Sequence, residues 1–254
     1  MRKNVTKAKI KAGETVYGVF CNLYSPAAVE VLGVLGFDFV IIDAEHGPMD
    51  VRACEEMIRA ADATGVTPIV RVAVSLQQNI LRHLDIGALG VQMPMINTKA
   101  EAEAVVASVK YPPVGKRGLA AVRANDYGFS GSLGDYVKMA NQETLVITHV
   151  ETMEAVANLP AMLEVEEIDV IFIGPTDLSS SMGYPGQRQH PDVLAMIERL
   201  GKQIRAGGKA AGTIASDPMG IAWAKEKGFQ YLATGITTLL GQAGRDYLKA
   251  SRGS

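Results

Sequence analysis

Cysteine is scarce. The 254 residues contain two, Cys21 and Cys54, far apart and without a companion at ligand spacing. Neither a disulfide framework nor a cysteine-held zinc site is therefore expected, and a reducing, cytoplasmic setting fits. Aromatic residues make up 6%, with a single tryptophan, and no basic stripe is interleaved with them. Lys and Arg total 25 against 27 Asp and Glu, a formal charge of -2, so nothing points to nucleic acid as a partner. Long apolar runs are also missing: the stretch from Val29 to Ile42 is interrupted by Glu30 and Asp38, and the basic start MRKNVTKAKIKAG has no apolar core. Neither a membrane span nor a secretory leader is expected. No internal repeat and no Pro- or Ser-rich linker divides the chain, which gives one domain over residues 1–250. Residues 251–254, SRGS, are set apart as a polar end or the stub of an affinity tag.

What is present is alternation. Hydrophobic residues reach 48% and 26 glycines are spread along the chain. Short β-branched or apolar runs alternate with longer segments of helical character. Eight strands are predicted: Val16 to Cys21, Asp38 to Asp43, Pro68 to Arg71, Leu89 to Met93, Leu145 to Val150, Val170 to Ile173, Lys209 to Thr213 and Gln230 to Ala233. Helices are expected over Asp50 to Ala63, opened by an Asp cap, and over Lys99 to Lys110, after Asn97 and Thr98. Eight strand–helix units of this length predict an α/β fold, a closed (β/α)8 TIM barrel, over the open doubly wound sheet that shares the same rhythm. One segment breaks it. Tyr111 to Tyr136 is rich in glycine, carries Lys116, Arg117 and Arg123, and reads as a long loop that either lines a site or is a solvated excursion.

A barrel concentrates chemistry at the C-terminal ends of its strands. There the sequence places Asp43-Ala44-Glu45-His46, then Arg71, then His149-Val150-Glu151, then Gly174-Pro175-Thr176-Asp177. Alternation along strand five puts Leu145, Ile147, His149 and Glu151 on the face that fills the barrel. Glu151 and Asp177 form a pair of carboxylates suited to a hard divalent cation, although an acid at a barrel mouth serves equally as an ion-pair partner. A helix starting near Asp177 would turn free amide N–H groups toward the mouth, where they could hold a carboxylate. The other reading is a plain helix cap by Thr176 or Asp177. His46 is a candidate general base. Arg71, costly to bury alone, should pair with an acid or an anionic ligand. His83, in a helical stretch, and His190, in a Pro-containing loop, read as structural or solvated.

The ordered set IIDAEHGP at Ile41 to Pro48, PIVRV at Pro68 to Val72, a glutamate closing strand five and GPTDLSSSMG at Gly174 to Gly183 resembles the HpcH/HpaI aldolase family, over about Gly18 to Leu240. The resemblance implies a barrel of the phosphoenolpyruvate/pyruvate type and a class II aldolase that splits a 4-hydroxy-2-oxo acid into pyruvate and an aldehyde. Decarboxylation of oxaloacetate would be a side activity. By position it implies Glu151 and Asp177 as ligands of Mg2+, Mn2+ or Co2+. His46 would be a base acting through a water on that metal, Arg71 the donor to the enolate oxygen, and Thr176 and Asp177 the backbone holders of the pyruvate carboxylate. Asp85 matches an acid that supports the histidine, yet the strand map places it at the opposite end of the barrel. Where the family pattern has Gln, two residues before the metal-binding Glu, this chain has His149: a replacement donor to substrate, a third metal ligand, or a change in preference. Lys116, Arg117 and Arg123 could suit an acidic or polyhydroxylated aldehyde, or be solvated, and Ile214 could shape the aldehyde pocket. A hexamer with exchanged C-terminal helices, formed here by Thr237 to Lys249, is the implied assembly. The alternatives are a CoA-thioester lyase of the citrate lyase beta-like type and a barrel that binds small carboxylates without catalysis.

Overall fold

A computed structural model describes residues 2–252. Eight strands close into one parallel barrel in chain order: β1 Val16–Cys21, β2 Phe39–Asp43, β3 Thr67–Arg71, β4 Gly90–Met93, β5 Leu145–Val150, β6 Val170–Ile173, β7 Ala210–Ile214 and β8 Tyr231–Gly235. The helices are α1 Val5–Lys11, α2 Pro26–Val34, α3 Val51–Thr64, α4 Gln77–Asp85, α5 Lys99–Val109, α6 Leu133–Glu143, α7 Met153–Leu163, α8 Pro175–Ser181, α9 Pro191–Ala206, α10 Pro218–Glu226 and α11 Ile236–Arg252. The expected TIM barrel is present. Strand boundaries agree with the sequence pattern to within two residues, because strands buried on both faces are read as apolar runs whatever their neighbours.

The outer layer contains Val146, Val150, Ile171 and Ile173 of β5 and β6, packed with Leu159 of α7 and Leu200 of α9. Helix starts are fixed by local caps. The Asp50 side chain accepts from Ala53 N at 2.8 Å, and Thr98 and Glu101 form a reciprocal capping box before α5. Inside the barrel lie Val16, Phe39, Ile41, Ile69, Leu145, Ile147, Val170, Phe172 and Tyr231. The Phe39 and Tyr231 rings stack with centroids 4.1 Å apart. They fit because β1 has glycine at position 18, where an added Cβ would come within 2.1 Å of the Phe39 ring.

The basic N-terminal segment, read from sequence only as lacking a leader, closes the bottom of the barrel. Asn4 caps α1 and donates to Leu89 O and Glu143 O at 2.9 and 3.0 Å, while Lys7 Nζ donates to Thr144 O and Asp169, both at 2.9 Å. Ile10 joins the interior cluster. At the other end of the chain, α11 continues through Arg252, past the boundary drawn at residue 250, with Ser251 Oγ donating to Tyr247 O at 2.8 Å. The last two residues of the expected tag stub lie outside the described residues. Of the α11 side chains only Ile236 is buried, and Leu240, Tyr247 and Leu248 are exposed. No helix among the described residues is long and apolar enough to cross a membrane.

Candidate active site

The register of β2 and β3 sets Asp43 directly opposite Arg71 at the strand ends. Both face the mouth, and the guanidinium grips the carboxylate as a fork, Nε to Oδ1 at 2.9 Å and Nη2 to Oδ2 at 2.5 Å. Nη1 lies 3.1 Å from Glu45 Oε2, and the guanidinium covers the Phe20 ring at 4.9 Å from its centroid. Arg71, an arginine costly to bury alone, is thus paired twice, which uses three of its five N–H groups. Asp43 Oδ1 also accepts from the backbone N–H groups of Glu45 and His46, at 3.2 and 3.1 Å. Burial alone would raise the Asp43 carboxyl, but the Arg71 fork and these two amides hold it below its ordinary value. Burial raises Glu45 above its own, against the pull of Arg71 and His46. The His46 ring is 63% exposed and its Nε2 lies 3.9 Å from Glu45 Oε2, so it stands over the mouth with a nitrogen open to substrate.

On the facing wall β5 behaves as its alternation predicted. Leu145 and Ile147 fill the interior, and His149 and Glu151 follow on the same face, 1% and 3% exposed. His149 Nδ1 lies 2.8 Å from Glu151 Oε2 and its Nε2 lies 2.7 Å from Gln92 Nε2. Glu151 Oε1 accepts from the Met95 backbone N–H at 2.8 Å. Burial pushes the Glu151 carboxyl up, but His149, the Met95 amide and Arg71 outweigh it and hold the carboxyl below its ordinary value. Its room comes from Gly174: a Cβ there would lie 2.3 Å from Glu151 Oε2.

Gly174 is also the N-cap of α8 and makes no side-chain cap bond, and Pro175 occupies the first turn. Thr176 and Asp177 are therefore first-turn residues rather than caps, and their backbone N–H groups stand at the end of a short helix beside Glu151. The Asp177 carboxylate is exposed and has no partner among the described residues.

His46, Arg71, His149, Glu151, Thr176 and Asp177 line one cavity of about 320 Å³, together with Phe20, Asp43, Phe172, Arg188 and Ile214. Asp85 is not among them. It ends α4 at the N-terminal end of the barrel, where Arg117 Nη2 donates to its Oδ1 at 2.8 Å. The segment from Tyr111 to Tyr136 lies at that end too, and its cations do not face the mouth. Arg117 is buried against Asp85 and the Tyr111 ring, Arg123 donates to Asp62 and Ile86 O, and Lys116 is exposed. A larger cavity of about 520 Å³ there is lined by these paired arginines. His83 is buried in α4 with Nδ1 2.8 Å from Asn79 O, and His190 is the N-cap of α9, stacked 3.9 Å from the Tyr184 ring.

Three residues around the site were not singled out from sequence. Asp43 was read as part of an acidic strand end without a role; its register opposite Arg71 was the usable signal. Gln92 was a polar residue inside a buried strand, a place where a partner is obligatory. Arg188, exposed in the loop before α9, carried no pattern at all.

The barrel and this mouth have close relatives. The model of the HpcH/HpaI aldolase/citrate lyase family matches residues 16–243. The chain is 37% identical over 248 residues to a pyruvate aldolase from Rhizobium etli, covering 97% of this chain and 96% of that one. It is 37% identical over 242 residues to a 4-hydroxy-2-oxo-heptane-1,7-dioate aldolase from Escherichia coli, covering 95% and 92%. Its fold superimposes with a TM-score of 0.90 on the crystal structure of a family protein from Burkholderia cenocepacia J2315, 32% identical, over 98% of this chain and 99% of that one. With the strand-end motifs in place and these matches spanning nearly its whole length, the chain belongs to the HpcH/HpaI aldolase/citrate lyase family and is a carbon–carbon lyase.

Proposed function

We propose that the protein is a metal-dependent pyruvate aldolase that reversibly cleaves a 4-hydroxy-2-oxo acid to pyruvate and an aldehyde. The observation that carries this reading is the convergence of Arg71, His46, Glu151 and Asp177 on one cavity at the C-terminal mouth. Two aldolase relatives with pyruvate or a hydroxy-oxo acid in their names agree with it.

The residues fit a hard divalent cation. Glu151 is held ionised and Asp177 is unpaired, so two carboxylate oxygens are available, and no group of three His, Cys, Asp or Glu side chains among the described residues offers a closed cage. Two protein oxygens leave the remaining positions to water and a chelating substrate, the usual arrangement for Mg2+ or Mn2+. When bound, the ion supplies Lewis-acid polarisation of the 2-oxo group, worth several kcal/mol. The His149 nitrogens are engaged by Glu151 and Gln92, which argues against its serving as a third ligand.

The chain's own groups then divide the work. Arg71, fixed by Asp43 and Glu45, turns its remaining N–H groups to the 2-oxo oxygen, where negative charge gathers. The first-turn amides of Thr176 and Asp177 hold the substrate carboxylate. His46 takes the proton of the C4 hydroxyl as the C3–C4 bond breaks; that bond's electron pair becomes the enolate of pyruvate, the aldehyde departs, and a proton delivered to C3 completes pyruvate. An oriented donor to a developing oxyanion is typically worth about 2.7 to 4 kcal/mol, and a positioned base about 10^2- to 10^4-fold in rate. Among the described residues no lysine lines the mouth cavity, so Schiff-base chemistry lacks its amine there. Burial lowers Lys7 to about 8, but it lies under the barrel against Asp169.

The test is release of pyruvate from 4-hydroxy-2-oxo acids, coupled to lactate dehydrogenase. Activity should vanish after chelation and return with Mg2+, Mn2+ or Co2+. Full activity in excess EDTA would refute the metal, and binding without turnover would make the barrel a carboxylate binder. For assembly, the almost wholly exposed α11, with Leu240, Tyr247 and Leu248 uncovered, supports a homo-oligomer that exchanges this helix, a hexamer by the family resemblance. A monomer in light scattering at micromolar concentration would contradict it. Asp85, remote from His46 within its own barrel, could support that base only across a subunit boundary.

A further inference from the structure

Four polar side chains from three strands and the end of β5 form an unbroken chain through the barrel interior. The Tyr231 hydroxyl donates to Gln92 Oε1 at 3.0 Å, Gln92 Nε2 meets His149 Nε2 at 2.7 Å, and His149 Nδ1 meets Glu151 Oε2 at 2.8 Å. Gln92 and Tyr231 are 0% exposed, His149 1% and Glu151 3%. Buried polar groups must pair, and each link fixes the direction of the next.

The direction follows from donor and acceptor chemistry. The Tyr231 hydroxyl is wholly buried and gives its proton to Gln92 Oε1. Its proton occupies Gln92 Oε1 and turns the Gln92 NH2 toward His149. An amide NH2 only donates, so His149 Nε2 must be the bare, accepting nitrogen. The ring proton is then on Nδ1, where it meets Glu151 Oε2, while the Met95 N–H donates to Oε1, so both carboxylate oxygens stand as acceptors. The chain thus runs Tyr231 to Gln92 to His149 to Glu151 with one consistent polarity.

We propose that Tyr231 and Gln92 are positioning residues for Glu151, acting through the tautomer and ring orientation of His149. This rests on the reading of Glu151 as a metal ligand. His149 holds Glu151 Oε2 from the interior side, the Met95 amide holds Oε1, and Gly174 leaves the carboxylate its place against α8. Groups that orient a ligand in this way typically change metal affinity about 10- to 100-fold when removed. Neither Tyr231 nor Gln92 lines the cavity, so neither touches substrate.

The test uses the whole chain with Tyr231→Phe, which keeps the ring and its stacking on Phe39, and Gln92→Leu as an independent second variant. Two quantities are read: Mn2+ affinity by calorimetry, and the imidazole nitrogen shifts of 15N-histidine-labelled, metal-free protein. With four histidines in the chain, His149 is assigned by its loss in His149→Gln. The expected result is Mn2+ affinity lower by about tenfold or more in both variants. His149 should be a single Nδ1–H tautomer in the unaltered chain and a mixture in the variants. Adding Tyr231→Phe to His149→Gln should bring no further loss of affinity, because Tyr231 acts only through the ring. Unchanged affinity and unchanged nitrogen shifts in both single variants overturn the proposal, as does an additive double variant. Glu151→Gln separates the two layers of argument. If it binds Mn2+ undiminished, the metal assignment of Glu151 fails, while the metal-free histidine spectrum still decides the hydrogen-bond chain.

Discussion

Asp43 is the residue whose replacement tests the site most sharply, because it lies in the cavity wall with both carboxylate oxygens bonded to Arg71 and fixes the direction of that guanidinium. Asp43→Asn keeps shape and removes charge. The wild-type carboxylate takes two bonds from Arg71, at 2.9 and 2.5 Å, and two weaker ones from the Glu45 and His46 amides. An asparagine can offer its oxygen to one of the two guanidinium N–H donors, Nε or Nη2, and sets an NH2 against the other, so one charge-assisted bond is lost and the second becomes ion-to-neutral. Bonds to charged groups are worth about 1.5 to 3 kcal/mol each, and breaking a buried pair costs about 3 to 5. Because Glu45 still stands 3.1 Å from Nη1, the lower end, about 3 kcal/mol, is expected. For a chain of this size that is a melting temperature lower by about 6 to 12 °C. The guanidinium should also swing toward Glu45, carrying its free N–H groups off the developing oxyanion, so kcat for pyruvate release should fall by about 10^2. Arg71→Ala should lose at least as much, and the double variant no more than Arg71→Ala alone, since Asp43 acts through Arg71. The coupled lactate dehydrogenase assay and thermal melts read both. Activity within threefold of the unaltered protein, or losses that multiply in the double variant, would refute the role given to this pair.

Three further outcomes are expected. His46→Ala should lower turnover by at least about a hundredfold while pyruvate still binds, measured by single-turnover cleavage and calorimetry, and near-normal cleavage would remove His46 from the mechanism. Gly174→Ala should drive the Glu151 carboxylate from its place, since the new methyl would sit 2.3 Å from Oε2; Mn2+ affinity should drop by an order of magnitude or more, and an unchanged titration would show that Glu151 does not need that space. Below neutrality, Asp43 and Glu151 should contribute to acid unfolding. Their folded carboxyls are held below the ordinary range, so their stabilisation is complete above the unfolded pKa and lost as pH falls through the folded one. Glu45, raised by burial, acts in the opposite sense. Metal-free melts should therefore decline as pH drops below the normal carboxylate range, and less steeply in Asp43→Asn.

How much of this was legible beforehand divides along physical lines. Side-chain alternation is a property of one strand, so the inward set Leu145, Ile147, His149 and Glu151 could be read from β5 alone, and the order of elements, with Asp85 just before β4, set that residue at the far end of the barrel from His46. Which inward residues meet is a property of closure. Gln92, His149 and Tyr231 lie on β4, β5 and β8, and the last is brought to the others only across the barrel interior, around the space that Gly18 leaves for Phe39. No periodicity reports such a meeting. The segment from Tyr111 to Tyr136 shows the converse limit: its length and arginines marked it as unusual, yet composition cannot say which end of a barrel a loop occupies, and the connection after α5 runs under the strands rather than over them. A rule that does transfer follows from Gln92: in a strand buried on both faces, a lone amide at an inward position must answer to another polar group in the same interior. Tyr231 has an inward phenol that needs an acceptor as much as Gln92 needs a donor, and pairing those two obligations first would have led from β8 through β4 to His149 before any coordinates were seen.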